Sequence, residues 1–272
     1  MQPVTALSIA GSDSGGGAGI QADLRSLNAF GVFATTALTA VTDQNTLGVR
    51  AVTMLEPDVV EAQIRSVVDD FDIRAVKTGM LAQAPTVERV SELARDGLLP
   101  HLVVDPVLVS TSGDVLMGDG GVDAYRTALF PLAEVVTPNI HEAAVLCGVD
   151  VRDVTDLDAV ANLARTLLNM GPRFVLVKGG HLLASSSPER APDLLLSRDG
   201  LVVLEAVRVA TKNDHGTGCS LSAAIAAGLA LGRDVPDAVR DAKSFVLAAL
   251  ASAAGWHLGA GRGPIDHLGW GE

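Results

Sequence analysis

A mainly parallel β-sheet covered by helices on both faces is the fold this sequence predicts, on three observations. Short apolar runs alternate with longer amphipathic ones along the whole chain, as strand–helix units do. Most of the apolar runs end in a glycine loop or in an abrupt polar residue. Nothing in the 272 residues resembles an interdomain linker, an internal repeat or a long low-complexity segment. That length suits one large α/β domain or two small ones, and the missing linker selects one domain over residues 1–272.

The strand candidates are residues 6–10, 35–41, 75–78, 102–104, 135–137, 174–177, 194–196 and 201–209. Between the first two, Ile20, Leu24, Leu27 and Gly31 recur at helical spacing. Residues 59–68, 86–94, 157–168, 220–231 and 236–254 are likewise helix-like. Ser197-Arg198-Asp199-Gly200 reads as a hairpin turn, so part of the sheet is expected to be antiparallel. Residues 184–192 read as a surface loop.

Composition narrows the function. The chain is 48% hydrophobic but only 3% aromatic, so its core must be aliphatic and alanine-rich. A net charge of −12 argues against nucleic acid or an anionic membrane as main partner. A phosphate compound would need local lysines, backbone amides or a divalent cation. Cys147 and Cys219 are too few and too far apart for a disulfide framework. The first residues show no basic segment followed by a long apolar run. No stretch approaches the ~20 apolar residues of a membrane span. The expectation is a cytoplasmic protein acting on a small molecule.

In open α/β sheets, ligands bind beyond the carboxyl ends of the strands, so the residues after each apolar run matter most. Gly11-Ser12-Asp13-Ser14-Gly15-Gly16-Gly17-Ala18-Gly19 follows the first run. Asp105-Pro106, Pro138-Asn139-Ile140-His141-Glu142 and Lys178-Gly179-Gly180-His181 follow later ones, and a second glycine turn surrounds Gly216. Together they suit a phosphate and Mg²⁺ site. Each also has a plainer reading. The first loop could be a tight turn, since its glycines fit neither the P-loop nor the dinucleotide spacing. Asp105 could cap a strand end. Asn139 and Glu142, three apart, could be a helix cap with its capping box. His141-Glu142 begins like a zinc-protease motif, but the second histidine would fall on Val145. Lys178 closes an apolar run, where burying an ammonium without an anion is costly. Cys147 reads as a buried helical thiol.

The second turn reads Asn213-Asp214-His215-Gly216-Thr217-Gly218-Cys219 and runs into small, helix-forming residues. A helix starting near Gly218 or Cys219 would aim unpaired amides and positive potential outward. Glycines let a charged ligand approach the backbone closely. Such amides can stabilise a phosphoryl group in transfer. The same field is expected to lower the Cys219 pKa, so the thiol could deprotonate a substrate hydroxyl or hold it in line. The plainer alternative is a small residue packed under a turn.

Taken together these residues resemble the hydroxymethylpyrimidine and phosphomethylpyrimidine kinases of thiamin biosynthesis, within the ribokinase-like superfamily of three-layer α/β/α sandwiches. The resemblance runs nearly the whole chain. It is carried by AGSDSGGGAGIQADL at 10–24, QNTLGV at 44–49, KTGML at 77–81, VVDPVLV at 103–109, VKGGH at 177–181 and HGTGCSLSAAIAA at 215–227, with Thr137-Pro138-Asn139 and Glu142-Ala143 between them. It implies that Gln44 reads the aminopyrimidine, and that Gly11, Ala18, Asp23, Met80 and Val107 line the pocket. It implies Mg²⁺ at Asp105, Asn139 and Glu142, partly through water. Lys178 would contact the ATP phosphates, and Thr211 and the C-terminal helices would flank adenine. Gly216, Thr217, Gly218 and Cys219 would form the anion hole, with Cys219 as base. A homodimer is also implied. The chemistry agrees, since one glutamine amide supplies the donor and acceptor an aminopyrimidine needs, and phosphoryl transfer needs positioning and charge stabilisation more than covalent help.

Three departures stand out. Asp214 and Asp43 are acids where relatives carry other residues. Ser110-Thr111-Ser112-Gly113 lacks a lysine that many relatives carry there. Rival readings are a pyridoxal or pyridoxine kinase, disfavoured by Gln44, a catalytically weak ligand-binding module, and a thiol hydrolase using His215 and Cys219.

Overall fold

The computed structural model describes residues 2–108, 116–179 and 189–271. Its strands are β1 (Thr5–Asp13), β2 (Phe33–Asn45), β3 (Gly48–Met54), β4 (Ile73–Thr78), β5 (Leu102–Val104), β6 (Val135–Val136), β7 (Phe174–Lys178), β8 (Asp193–Ser197) and β9 (Gly200–Leu204). They form one sheet in the order β3-β2-β1-β4-β5-β6-β7-β8-β9. Pairing is parallel from β2 through β7. It is antiparallel for β3 on β2, β8 on β7 and β9 on β8. The helices are α1 (Gly19–Ala29), α2 (Pro57–Val68), α3 (Ala84–Arg95), α4 (Gly121–Ala124), α5 (Ile140–Cys147), α6 (Leu157–Leu168), α7 (Thr217–Ala230) and α8 (Val235–Ser252).

Alternation along the strands divides the core into two layers. Leu7, Ile9, Leu102, Val104, Val175, Val177, Leu194 and Leu196 face α2, α3, α5 and α6. Their neighbours Ala6, Val103, Leu176 and Leu195 face α1, α7 and α8. The second face is built from small residues. Ala223, Ala224, Ala226 and Ala227 of α7 are wholly buried, so this helix lies close on the sheet and its first turn reaches the strand ends. The result is the three-layer α/β/α sandwich that the sequence predicts.

Differences from the sequence reading fall where tertiary contacts decide. β3 is a partly exposed edge strand without a continuous apolar run, and its pairing with β2 draws β2 on to Asn45. Gln44 therefore stands at the end of a strand. The run 201–209 stops as a strand at Leu204, and Val207 makes only an isolated bridge with Arg190. The turns after α4, Tyr125–Leu129 and Phe130–Leu132, bury Tyr125 and Phe130 and were not foreseen. Ser110-Thr111-Ser112-Gly113, Gly180-His181 and most of the loop expected at 184–192 lie outside the described residues.

The C-terminal segment carries a pH response. His267 is buried, and its Nε2 lies 2.7 Å from the Ser220 hydroxyl on α7. That hydroxyl donates to Gly216 O at 2.8 Å, so His267 Nε2–H is the donor to Ser220. Burial, helped by the Arg25 charge and opposed by Asp266, pushes the imidazole down to about 4. A depressed folded pKa means stability is full above the ordinary value near 6.5 and is lost as pH falls through about 4, because the unfolded chain takes the proton first. Melting temperature should therefore drop between pH 6.5 and 4, and His267→Phe should flatten that slope. Equal slopes for the two proteins in thermal melts would remove His267 as the cause.

Candidate active site

Strand order reverses around β1, since β2 lies on one side and β4 on the other. Such a switch point leaves a crevice beyond the carboxyl ends of the strands. Two glycine loops meet there.

The first loop is tied by Asp13, the last residue of β1. Its carboxylate is 3% exposed. It accepts from the backbone N–H groups of Gly15, Gly17 and Ala18 at 2.8, 3.0 and 2.8 Å. Burial pushes the acid up, but the His215 hydrogen bond and these amides outweigh it and hold Asp13 below its ordinary value. His215 Nε2 lies 2.9 Å from Asp13 Oδ2, which joins the first loop to the second. Gly216 follows with φ 83°, and a Cβ there would stand 1.8 Å from Gly17 O. Only glycine permits this approach.

Gly216 is also the N-cap of α7, and no side chain caps that helix. Beside its first turn, Lys178 Nζ bonds Asp105 Oδ1 at 2.8 Å. A Cβ on Gly218 would lie 3.2 Å from the same ammonium and 3.8 Å from Asp105 Oδ2. Thr137 and Ser222 donate to Asp105 at 3.2 and 3.3 Å. Burial pulls Lys178 down, but Asp105 and then Glu142 outweigh it, so the lysine stays above its ordinary value and charged. Lys178, Gly218 and Asp105 are thus brought together at the foot of α7.

The expected metal set has a different arrangement. Asn139 Oδ1 accepts from Glu142 N at 2.9 Å, and Glu142 Oε2 accepts from Asn139 N at 2.8 Å. This is a complete capping box on α5. Burial pushes Glu142 up to about 7, with Lys178 opposing and Asp105 adding to the rise. Among the described residues no three histidine, cysteine or acidic side chains gather as a metal cluster. Asp105 and Glu142 thus stand as two carboxylates acting on Lys178, with the Asn139 side chain bonded to its own helix start.

Two expectations are corrected. The Cys219 thiol is not lowered. Burial pushes it up to about 11, with the Lys77 ammonium opposing, the Asp23 and Asp105 charges adding, and the Gly19 amide opposing. Desolvation is the largest influence on the thiol at that position. Asp23 does not line a pocket either. It is 0% exposed, and its oxygens take Lys77 Nζ at 2.9 and 2.7 Å and Ser8 Oγ at 2.5 Å. It is half of a buried ion pair.

Gly11, Met80 and Val107 do come together. A Cβ on Gly11 would meet Met80 Cε at 2.3 Å, and Met80 packs with Ala40 and Ala82, with Val52, Val107 and Leu116 around them. Ala18 caps the start of α1. Gln44 reaches the His215 ring, Nε2 to Nε2, at 3.2 Å. Thr211 Oγ1 accepts from Asn213 N at 3.0 Å on the approach to the second loop. The extra acid Asp214 is answered from far along the chain, by Arg262 Nε at 2.8 Å and a second guanidinium bond. Its charge is thereby offset.

Sequence reasoning missed Asp13, His215 as a partner of Gln44, Lys77 and Arg262. Asp13 and Lys77 stand inside motifs already singled out, and their role follows once a buried acid and a buried ammonium are asked for partners. Arg262 has no local signal.

A three-layer α/β fold that gathers a charged lysine, a glycine-led helix start and a nearby thiol at its switch point has the architecture of a small-molecule kinase. The chain belongs to the phosphomethylpyrimidine kinase family, whose profile matches residues 13–266. It is 49% identical over 268 residues to the hydroxymethylpyrimidine/phosphomethylpyrimidine kinase of Streptomyces coelicolor, covering 98% of this chain and 95% of that one. Among solved structures, the phosphomethylpyrimidine kinase of Clostridium difficile 630 superposes with a TM-score of 0.78 at 37% identity, over 91% and 99% of the two chains. An ADP complex of Bacillus subtilis pyridoxal kinase gives 0.87 at 34% identity, over 98% of each chain. Among the described residues no helix is long and apolar enough to cross a membrane.

Proposed function

We propose that the protein transfers the γ-phosphoryl group of ATP to the hydroxymethyl oxygen of 4-amino-5-hydroxymethyl-2-methylpyrimidine, and then phosphorylates the monophosphate. The observation that carries this is Gln44 held against the loop that begins α7, so that a donor–acceptor pair for an aminopyrimidine stands beside an uncapped helix start and Lys178. Gly11, Met80 and Val107 would pack the ring. Lys178 and the first amides of α7 would hold phosphate oxygens, and Thr211 would stand near adenine. The attacking hydroxymethyl oxygen forms its bond to phosphorus as the bond to ADP breaks. Its proton leaves late, to a phosphoryl oxygen or to water, as suits a loose transition state. With its thiol near 11, Cys219 is protonated at neutral pH and serves first to hold the hydroxyl in line.

The donors at Asp105 and Glu142 are carboxylate oxygens, and Mg²⁺ in phosphoryl-transfer sites takes one or two carboxylates while keeping several waters. The pair therefore fits the ion through water, where it would neutralise phosphate charge. A cytoplasmic homodimer completes the reading, and the exposed Leu47 and Met54 beside and on β3 offer apolar surface to a second copy.

A pyridoxal kinase is the second reading, favoured by the likeness to the Bacillus subtilis enzyme. ADP release with Mg²⁺-ATP against the hydroxymethylpyrimidine, its monophosphate and pyridoxal separates the two. Turnover of both pyrimidines is expected, and a preference for pyridoxal would overturn the assignment. Cys219→Ala should lower kcat by about 10²-fold, the loss expected when the attacking hydroxyl is no longer held in line, with the melting temperature little changed. Unchanged kcat would remove the thiol from the reaction.

A further inference from the structure

The groups around the end of Gln44 pose a donor–acceptor problem. His215 Nε2 lies 2.9 Å from Asp13 Oδ2 and 3.2 Å from Gln44 Nε2. A carboxylate only accepts, so His215 Nε2 carries a proton and points it at Asp13. A protonated Nε2 cannot also accept from an amide nitrogen. At the other end of the amide, Thr42 Oγ1 lies 2.8 Å from Ser12 O and 3.2 Å from Gln44 Oε1. Ser12 O is a carbonyl and needs the single hydroxyl proton, so none is left for the Gln44 oxygen.

A half-turn of the amide about its terminal bond satisfies every group. Gln44 Oε1 then accepts from His215 Nε2–H, which it shares with Asp13. Gln44 Nε2 donates to Thr42 Oγ1, whose own proton stays on Ser12 O. The chain on either side is fixed, because Gln44 N accepts no such freedom: it donates to Ser14 Oγ at 2.8 Å, and Ser14 Oγ donates to Gln44 O at 2.7 Å. We infer that Asp13 and His215 set the orientation of the Gln44 amide, oxygen toward His215 and nitrogen toward Thr42, and that His215 is thereby a specificity-determining positioning residue. One proton on Nε2 and one lone pair on Oε1 are left for a ligand. They form a fixed donor–acceptor register rather than one that can invert. The ring acceptor of a ligand is met on the Thr42 side, and its exocyclic amine on the His215 side. This consequence rests on the aminopyrimidine reading above; the orientation itself does not.

The imidazole packs on the first loop, since a Cβ on Gly17 would stand 2.5 Å from His215 Cδ2. A variant must therefore separate lost orientation from lost packing. His215→Gln keeps a donor near the Nε2 position, whereas His215→Leu keeps bulk and loses the donor. The readout is the ratio of kcat/KM for the aminopyrimidine to that for its analogue with oxygen in place of the exocyclic amine. His215→Leu should shrink that ratio about tenfold or more, mainly through KM for the aminopyrimidine, and His215→Gln should restore most of it. A ratio unchanged in His215→Leu, or a loss shared equally by both variants, would overturn the inference. A second measurement needs no substrate. Nitrogen-15 NMR of the histidine rings, with His215 assigned by difference against His215→Gln, should show the proton on Nε2 in the resting protein. A proton on Nδ1 alone would overturn the orientation. Failure of the wild type to phosphorylate either pyrimidine would sink the substrate assignment, while the NMR result would still decide the amide.

Discussion

Gly216→Ala should abolish most of the activity and lower stability together. A Cβ at this position would lie 1.8 Å from Gly17 O, 2.8 Å from Gly17 C and 3.2 Å from Ala18 Cα. All three are backbone atoms of the first glycine loop, so no side-chain rotation can relieve the clash. The φ of 83° adds strain of about 1–2 kcal/mol for any residue with a Cβ. The loops must then part, and with them the Asp13–His215 contact that holds Gln44 and the start of α7. Misplacing reacting groups by an ångström can cost about 10²-fold in rate, and a loss of kcat/KM at least that large is expected. Gly97→Ala is the control. Its φ is 79°, but an added Cβ would meet nothing within 4 Å. It should cost about as much strain and leave turnover alone. Near-normal kcat/KM in Gly216→Ala would show that the loops are not a working joint.

The contrast between those two glycines bears on what the sequence could reveal. Both are visible as letters, and the motif around Gly216 marked it as functional. That its neighbour would be the carbonyl of Gly17 was not visible, because the two lie about two hundred positions apart along the chain. The same holds across the site. Strand and helix placement followed from apolar periodicity, whereas which strand residues face which helix layer is seen only in the folded chain. Lys178 was legible because an ammonium at the end of a buried strand demands an anion, and Asp105 supplies one. Glu142 was legible in its plainer form, as the N3 partner of Asn139. β3 was not legible, because a partly exposed edge strand has no burial pattern of its own and exists through pairing with β2. The Cys219 thiol was misjudged for a related reason. A helix start is a local feature with a known sign, whereas desolvation depends on what the fold stacks around the sulfur.

Lys77→Met should be among the most destabilising single substitutions in the protein. Lys77 and Asp23 are both 0% exposed, and their charged atoms meet at 2.7 Å. Burial pulls the lysine down, but Asp23 outweighs it and holds Lys77 above its ordinary value, so the pair is ionic. Removing the cation leaves an uncompensated carboxylate in the core, which costs about 3–5 kcal/mol. The Ser8 hydroxyl at 2.5 Å is then its remaining partner. Burial already holds Asp23 above its ordinary 3.8 against the pull of Lys77, so without the cation it rises further and relieves its burial by taking a proton. A raised acid favours the fold below the unfolded value and loses that advantage as pH climbs through the folded one. The deficit of Lys77→Met relative to wild type should therefore be smaller near pH 4 than at pH 7. Lys77→Met/Asp23→Leu removes both charges and should recover much of the lost stability. Turnover should recover with it, because Lys77 and Asp23 act on the Cys219 thiol in opposite directions and the double variant removes both charges. Stability restored with kcat still depressed would show the buried pair acting on the thiol as well as on the fold. Recovery of both would confine it to the fold, and a double variant no more stable than Lys77→Met would show that the two charges are not energetically one unit.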